Sequence, residues 1–161
     1  MPSFKSTFAL LLAVSITRYV RAETHTVHFS NNCGFGTPTL IQGPNILSQG
    51  NDVTFNGPLF SAIAYLQTGG CGFNGEGCTL IETTLTNPVN GPGSGSSTDI
   101  SLIPPHSFSV TSGFGYFGGC DGAGADCTSP SCTIAFPQPG DTDKQVTCQA
   151  DNVNLAITFC V

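Results

Sequence analysis

Hydrophobic and polar residues alternate at period two along three stretches of the chain. Val27 and Phe29 alternate with Thr26, His28 and Ser30. Phe108, Val110, Ser112, Phe114 and Tyr116 alternate with Ser107, Ser109, Thr111, Gly113 and Gly115. Val153, Leu155, Ile157, Phe159 and Val161 alternate with Asn154, Ala156, Thr158 and Cys160. Successive side chains of a strand point to opposite faces, so each stretch predicts a half-buried strand. The same rule puts Leu80, Glu82 and Thr84 on one face of a further segment, and Thr79, Ile81, Thr83 and Leu85 on the other. Phe114 and Tyr116 continue the Phe108 face and are assigned to the core. Phe117 is the aromatic expected at the surface, where it could stack on a sugar ring.

Turn signals separate these segments: Gln42-Gly43-Pro44-Asn45, Asn56-Gly57-Pro58, and the loop from Asn90 to Ser97. No long helical period and no internal repeat is present. The pattern predicts an all-β chain, a sandwich of two sheets, and one domain suffices for its length.

The N-terminus departs from this pattern. Lys5 precedes the apolar run Phe8–Ile16, and Val20-Arg21-Ala22 follows. A basic residue, a short apolar stretch and a small residue at the cut describe a secretory signal peptide, expected over residues 1–22. The run is shorter than the roughly 18–20 residues that span a bilayer. The expected mature domain is 23–161, secreted and extracellular or wall-associated. It keeps ten Asp and Glu against one base, Lys144, a formal charge of 1 − 10 = −9. Phosphate contacts need Lys and Arg, so neither nucleic acid nor an anionic membrane is an expected partner.

All eight cysteines lie in that domain, and an even count in an exported chain points to disulfides. Zinc is the weaker reading, because no C-x-x-C pair exists and the three histidines are scattered. His25 and His28 fall on opposite faces of one strand and read as surface residues. The Asp121–Asp126 loop lacks the alternating oxygen ligands of a calcium loop. No metal or other cofactor is expected, and neither is N-glycosylation, since no Asn-x-Ser/Thr sequon is present.

Several motifs together resemble the thaumatin-like proteins. Phe29-Ser30-Asn31-Asn32-Cys33 is similar to the family's opening strand, and Thr68-Gly69-Gly70-Cys71-Gly72 to its T-G-x-C-G turn. Thr79-Leu80-Ile81-Glu82 resembles T-L-A-E, and Asp99-Ile100-Ser101-Leu102-Ile103 resembles D-I-S-L-V. Val146-Thr147-Cys148 and Ile157-Thr158-Phe159-Cys160 look like the closing V-T-C and V-T-F-C. The matches keep the family's order from residue 24 to the end. The chain resembles the short members with a reduced loop domain that occur in mushroom-forming fungi. It departs from the family at G-R-x-W, where Phe60 to Leu66 supplies neither Arg nor Trp.

The resemblance implies a disulfide-stapled thaumatin-like β-sandwich, monomeric, with the pairs Cys33–Cys160, Cys71–Cys78, Cys120–Cys148 and Cys127–Cys132. It also implies an acidic cleft that binds β-1,3-glucan and in some members hydrolyses it. Of the family's Arg, Glu and three Asp, Glu82 matches the Glu and Asp99 one Asp. The Arg is absent, and Pro104-Pro105-His106 stands where another Asp belongs.

Glycoside hydrolysis needs two carboxyl groups flanking the scissile bond, about 5–9.5 Å apart. Glu82 as proton donor and Asp99 as base are the catalytic candidates. With Phe117 they are also the candidate sugar-binding residues. Taken alone, a Glu on the polar face of an edge strand is solvated and inert. Three functions compete: binding of cell-wall β-glucan, endo-β-1,3-glucanase activity, and interaction with another secreted protein as an effector or hydrolase inhibitor.

Overall fold

The computed structural model describes residues 22–89, 91 and 93–161. Residues 1–21 of the expected leader lie outside the described residues. Among the described residues eleven strands form: β1 (Thr24–Asn31), β2 (Thr37–Gln42), β3 (Asn45–Ser48), β4 (Val53–Asn56), β5 (Leu59–Gln67), β6 (Leu80–Leu85), β7 (Ser96–Ser101), β8 (Ser112–Phe117), β9 (Gly124–Cys127), β10 (Val146–Cys148) and β11 (Asn154–Phe159). They make a five-stranded sheet, β4-β1-β11-β8-β9, and a six-stranded sheet, β10-β7-β6-β5-β2-β3. The β1–β11 pair is parallel. The remaining strand pairs are antiparallel.

The alternation places the core. Val27 and Phe29, with Leu155, Ile157 and Phe159, turn the inner face of the five-stranded sheet toward Leu40, Leu59, Leu66, Ile81, Leu85 and Ile100 of the other. Phe114 and Tyr116 are buried among them, as the alternation predicts. The Tyr116 hydroxyl lies 2.9 Å from the Thr98 hydroxyl and donates to the Val146 carbonyl at 2.9 Å. Thr83 and Thr98 hydrogen bond at 2.7 Å across the inner face. Every one of these inward oxygens therefore has a partner, as burial requires.

Three expectations are corrected. The strand expected to start near Ser107 begins at Ser112. Before it, Ser109 N–H donates to Thr79 Oγ1 at 2.9 Å, and Thr79 N–H to Ser109 Oγ at 3.1 Å. Side chains thus take the place of a strand ladder there. His25 is fully buried instead of exposed: its ring nitrogens lie 2.6 Å from the Val153 carbonyl and 3.0 Å from Glu23 Oε1. Two satisfied nitrogens let an imidazole sit on the same face as Val27. Finally, β6 is an interior strand, between β5 and β7.

The four disulfides are Cys33–Cys160, Cys71–Cys78, Cys120–Cys148 and Cys127–Cys132, the pairs that the resemblance implies. Cys33–Cys160 joins the ends of the parallel pair across a separation of 127 residues. Cys71–Cys78 closes a loop over one end of the outer face of the six-stranded sheet. Ile41, Tyr65, Cys78 and Leu80 form a second, smaller buried cluster beneath it. Tyr65 ties the loop down by donating its hydroxyl to the Phe73 carbonyl at 2.6 Å. The other end of that face stays open.

Candidate functional site

The open end is a groove of about 550 Å³. Its floor is a cross-strand row: Ile63 of β5 pairs with Glu82 of β6, and Glu82 with Asp99 of β7. The next outward row brings Thr84 opposite Ser97. One wall is Phe60 and Ser61; Gly93, Ser94, Gly95 and Gln145 border the other side.

The Phe60 wall arises from a bulge. Strict alternation would send Phe60 inward with Ala62 and Ala64. The register instead shifts between Leu59 and Ala62, and Ser61 takes a positive φ of 51°. The extra residue turns both Phe60 and Ser61 outward. Ser61 N–H donates to Thr84 Oγ1 at 3.0 Å, and the Gln42 amide donates to the Phe60 carbonyl at 2.7 Å. These bonds replace the ladder contacts that the bulge breaks. Phe60 is left 52% exposed at the rim.

The electrostatics centre on Asp99. It is buried on the groove floor, and its Oδ2 has no hydrogen-bond partner. Burial and the charge of Glu82 push its carboxyl from 3.8 up to about 7, while hydrogen bonding from Gln145 offsets part of the rise. The Glu82 carboxyl is its neighbour across the strands, so two acidic groups crowd one another on the floor. Residues directly opposite on antiparallel strands have Cβ atoms about 4.5–5.5 Å apart.

Phe117 does not join this pair. It lies on the outer face of the five-stranded sheet, beside Thr26, His28, Asp52 and Ala156. Pro104-Pro105-His106 does not reach the groove either. The Pro105 carbonyl accepts from Gly77 N–H at 2.8 Å, and His106 Nδ1 lies 3.0 Å from the Gly75 carbonyl. This segment braces the Cys71–Cys78 loop. Asp121 is also remote, accepting from Gly118 and Gly119 N–H.

Sequence reasoning missed Phe60, Thr84, Ser97 and Gln145. Ser97 was within reach, being two residues from Asp99 and so on its face. Gln145 was not, because only the pairing of β10 with β7 brings it there.

Among the described residues, the lining holds no Lys, Arg or His. What it offers is a carboxyl pair, hydroxyls, one amide, an apolar floor at Ile63 and an aromatic edge. That set suits a neutral or cationic polyhydroxylated ligand.

No family model matches the sequence, and no curated protein matches it. A solved structure does match: a thaumatin-like xylanase inhibitor, with a TM-score of 0.52 at 16% identity, covering 84% of this chain and 99% of that chain. The fold is therefore thaumatin-like, an all-β architecture stapled by disulfides.

Proposed function

Proceeding from a thaumatin-like fold with an open groove, we propose that this protein binds cell-wall polysaccharide of the β-glucan class, without hydrolysing it. The observation that carries the reading is the groove itself: Glu82 and Asp99 side by side on its floor, hydroxyls in the next row, and Phe60 at its rim. Carboxylates accept from sugar hydroxyls, and an exposed aromatic ring packs on a sugar's apolar face. Among the described residues, the lining has no arginine to orient and ionise the carboxyl groups, which favours binding over hydrolysis. Four disulfides fit an oxidising, extracellular setting.

The test is retention on insoluble β-1,3-glucan at low salt. The parent is retained, Phe60→Ala is retained less, and neither releases reducing sugar from soluble glucan above the blank. Absence of retention, or retention indifferent to the groove variant, defeats the reading.

A second reading, inhibition of a secreted carbohydrate-active enzyme, is favoured by the structural neighbour, which is described as a xylanase inhibitor. Slowed xylan hydrolysis in the presence of this protein, with a complex visible by gel filtration, supports it. Unchanged rates across secreted xylanases and glucanases remove it.

A further inference from the structure

Among the described residues, two buried side-chain oxygens lack a hydrogen-bond partner: Ser97 Oγ and Asp99 Oδ2. Both lie on the floor of the one groove. They are two residues apart on β7, so they share a face about 6–7 Å apart. Native proteins seldom leave such atoms unpaired, and each exception calls for an explanation. Two exceptions adjacent in one open groove point to a ligand that supplies the missing donors.

The charge of the groove narrows the ligand. Glu82 and Asp99 stand directly opposite one another, with no base in the lining to compensate them. The one Lys among the described residues, Lys144, is engaged with Asp143 at 3.2 Å. The other titratable group that senses Asp99 is Tyr116, a neutral phenol beneath the sheet whose own ionisation is pushed up to about 12, first by burial. A neutral sugar can donate hydroxyls to this floor but leaves two carboxyl groups crowded together. A ligand ammonium does both jobs, bringing three N–H donors and one positive charge.

We propose that the groove prefers a cationic amino sugar, with its ammonium seated on the Glu82–Asp99 pair and a ring hydroxyl donating to Ser97. The ligand class is a β-linked glucosamine polymer, the deacetylated form of a wall polysaccharide. This rests on the groove being a polysaccharide site and adds the chemical class it takes most tightly. The ammonium charge beside Asp99 favours its ionised form, so binding releases a proton into buffer.

Calorimetry with soluble hexamers of glucosamine, N-acetylglucosamine and β-1,3-linked glucose tests this at about pH 5.5, where the amine is charged. The glucosamine hexamer binds at least tenfold more tightly than its acetylated counterpart. Its apparent heat varies with the ionisation enthalpy of the buffer. Glu82→Gln and Asp99→Asn each erase the preference. Asp151→Asn, which removes one exposed carboxylate outside the groove lining, retains it and so controls for bulk charge. Equal affinity for the three hexamers overturns the amino-sugar proposal while leaving the groove reading intact. A preference that survives both groove variants overturns it as non-specific attraction to an acidic protein. Binding of none of the three overturns this proposal and the groove reading together.

Discussion

The outer face of the six-stranded sheet has two ends built from the same strands. At one end Leu80, Tyr65 and Ile41 are dry, capped by the Cys71–Cys78 loop, and the Tyr65 hydroxyl is satisfied. At the other, Glu82, Asp99 and Ser97 face an open groove, and two oxygens have no partner. Leu80 and Glu82 are two residues apart on one strand and point the same way. What separates a stabilising position from a ligand-facing one is therefore the loop overhead and not the strand. The dry end packs β2, β5 and β6 beneath the loop, and β6 carries Glu82 on into the wet end.

The sharpest way to break this comparison is to cut into the dry end. Leu80→Ala is expected to lower stability by about 2–5 kcal/mol, read from urea unfolding. A loss under about 1 kcal/mol would mean the small cluster is not a core.

At the wet end the sign is opposite. The Asp99 carboxyl titrates near 7 when folded, against 3.8 as the reference. Between those values the folded state holds a proton that the unfolded chain has released. Stability from this group is thus complete below about pH 3.8 and is lost as pH rises toward 7. Asp99→Asn cannot lose a proton, and its amide can donate to Glu82. The variant is expected to be more stable than the parent by roughly 1–3 kcal/mol at pH 8, and not at pH 3.5. A destabilised variant at pH 8 would show that the carboxylate is well solvated.

Smaller effects refine the boundary. Tyr65→Phe removes the hydrogen bond to the Phe73 carbonyl and is expected to cost about 1 kcal/mol. It should also loosen the Cys71–Cys78 loop, seen as faster amide exchange there. Thr84→Ala, on the open face, is expected to shift stability by less than about 0.5 kcal/mol. It should nonetheless weaken glycan binding, because Thr84 holds the Ser61 bulge that presents Phe60.

Much of the fold was legible because period two is a local property. Val153, Leu155, Ile157 and Phe159 alternate in sequence and are all fully buried. Val161 ends that series at the surface, because the chain has left the sheet and Cys160 turns with a φ of 59°. Glu82 and Asp99 were nameable from family motifs, but their side-by-side placement depends on register between two strands. No local pattern encodes that register. Phe60 was illegible for a related reason: a one-residue bulge inverts the faces that alternation assigns. His25 misled because a polar residue normally reads as outward, whereas here the partners that make burial tolerable come from Glu23 and Val153.

The parallel pairing of β1 with β11 has a consequence for biogenesis. β11 sits at the middle of the five-stranded sheet yet follows the other ten described strands in sequence. Strands β2, β3, β5, β6, β7 and β10 can assemble the six-stranded sheet while the chain is still emerging. β1 must wait beside β4 with one edge unpaired until residues 154–159 arrive. An unpaired edge invites foreign strands. Residues 154–159 are therefore the commitment step for this sheet: a chain truncated before Asn154 retains its groove strands but exposes a half-built sheet with an open edge.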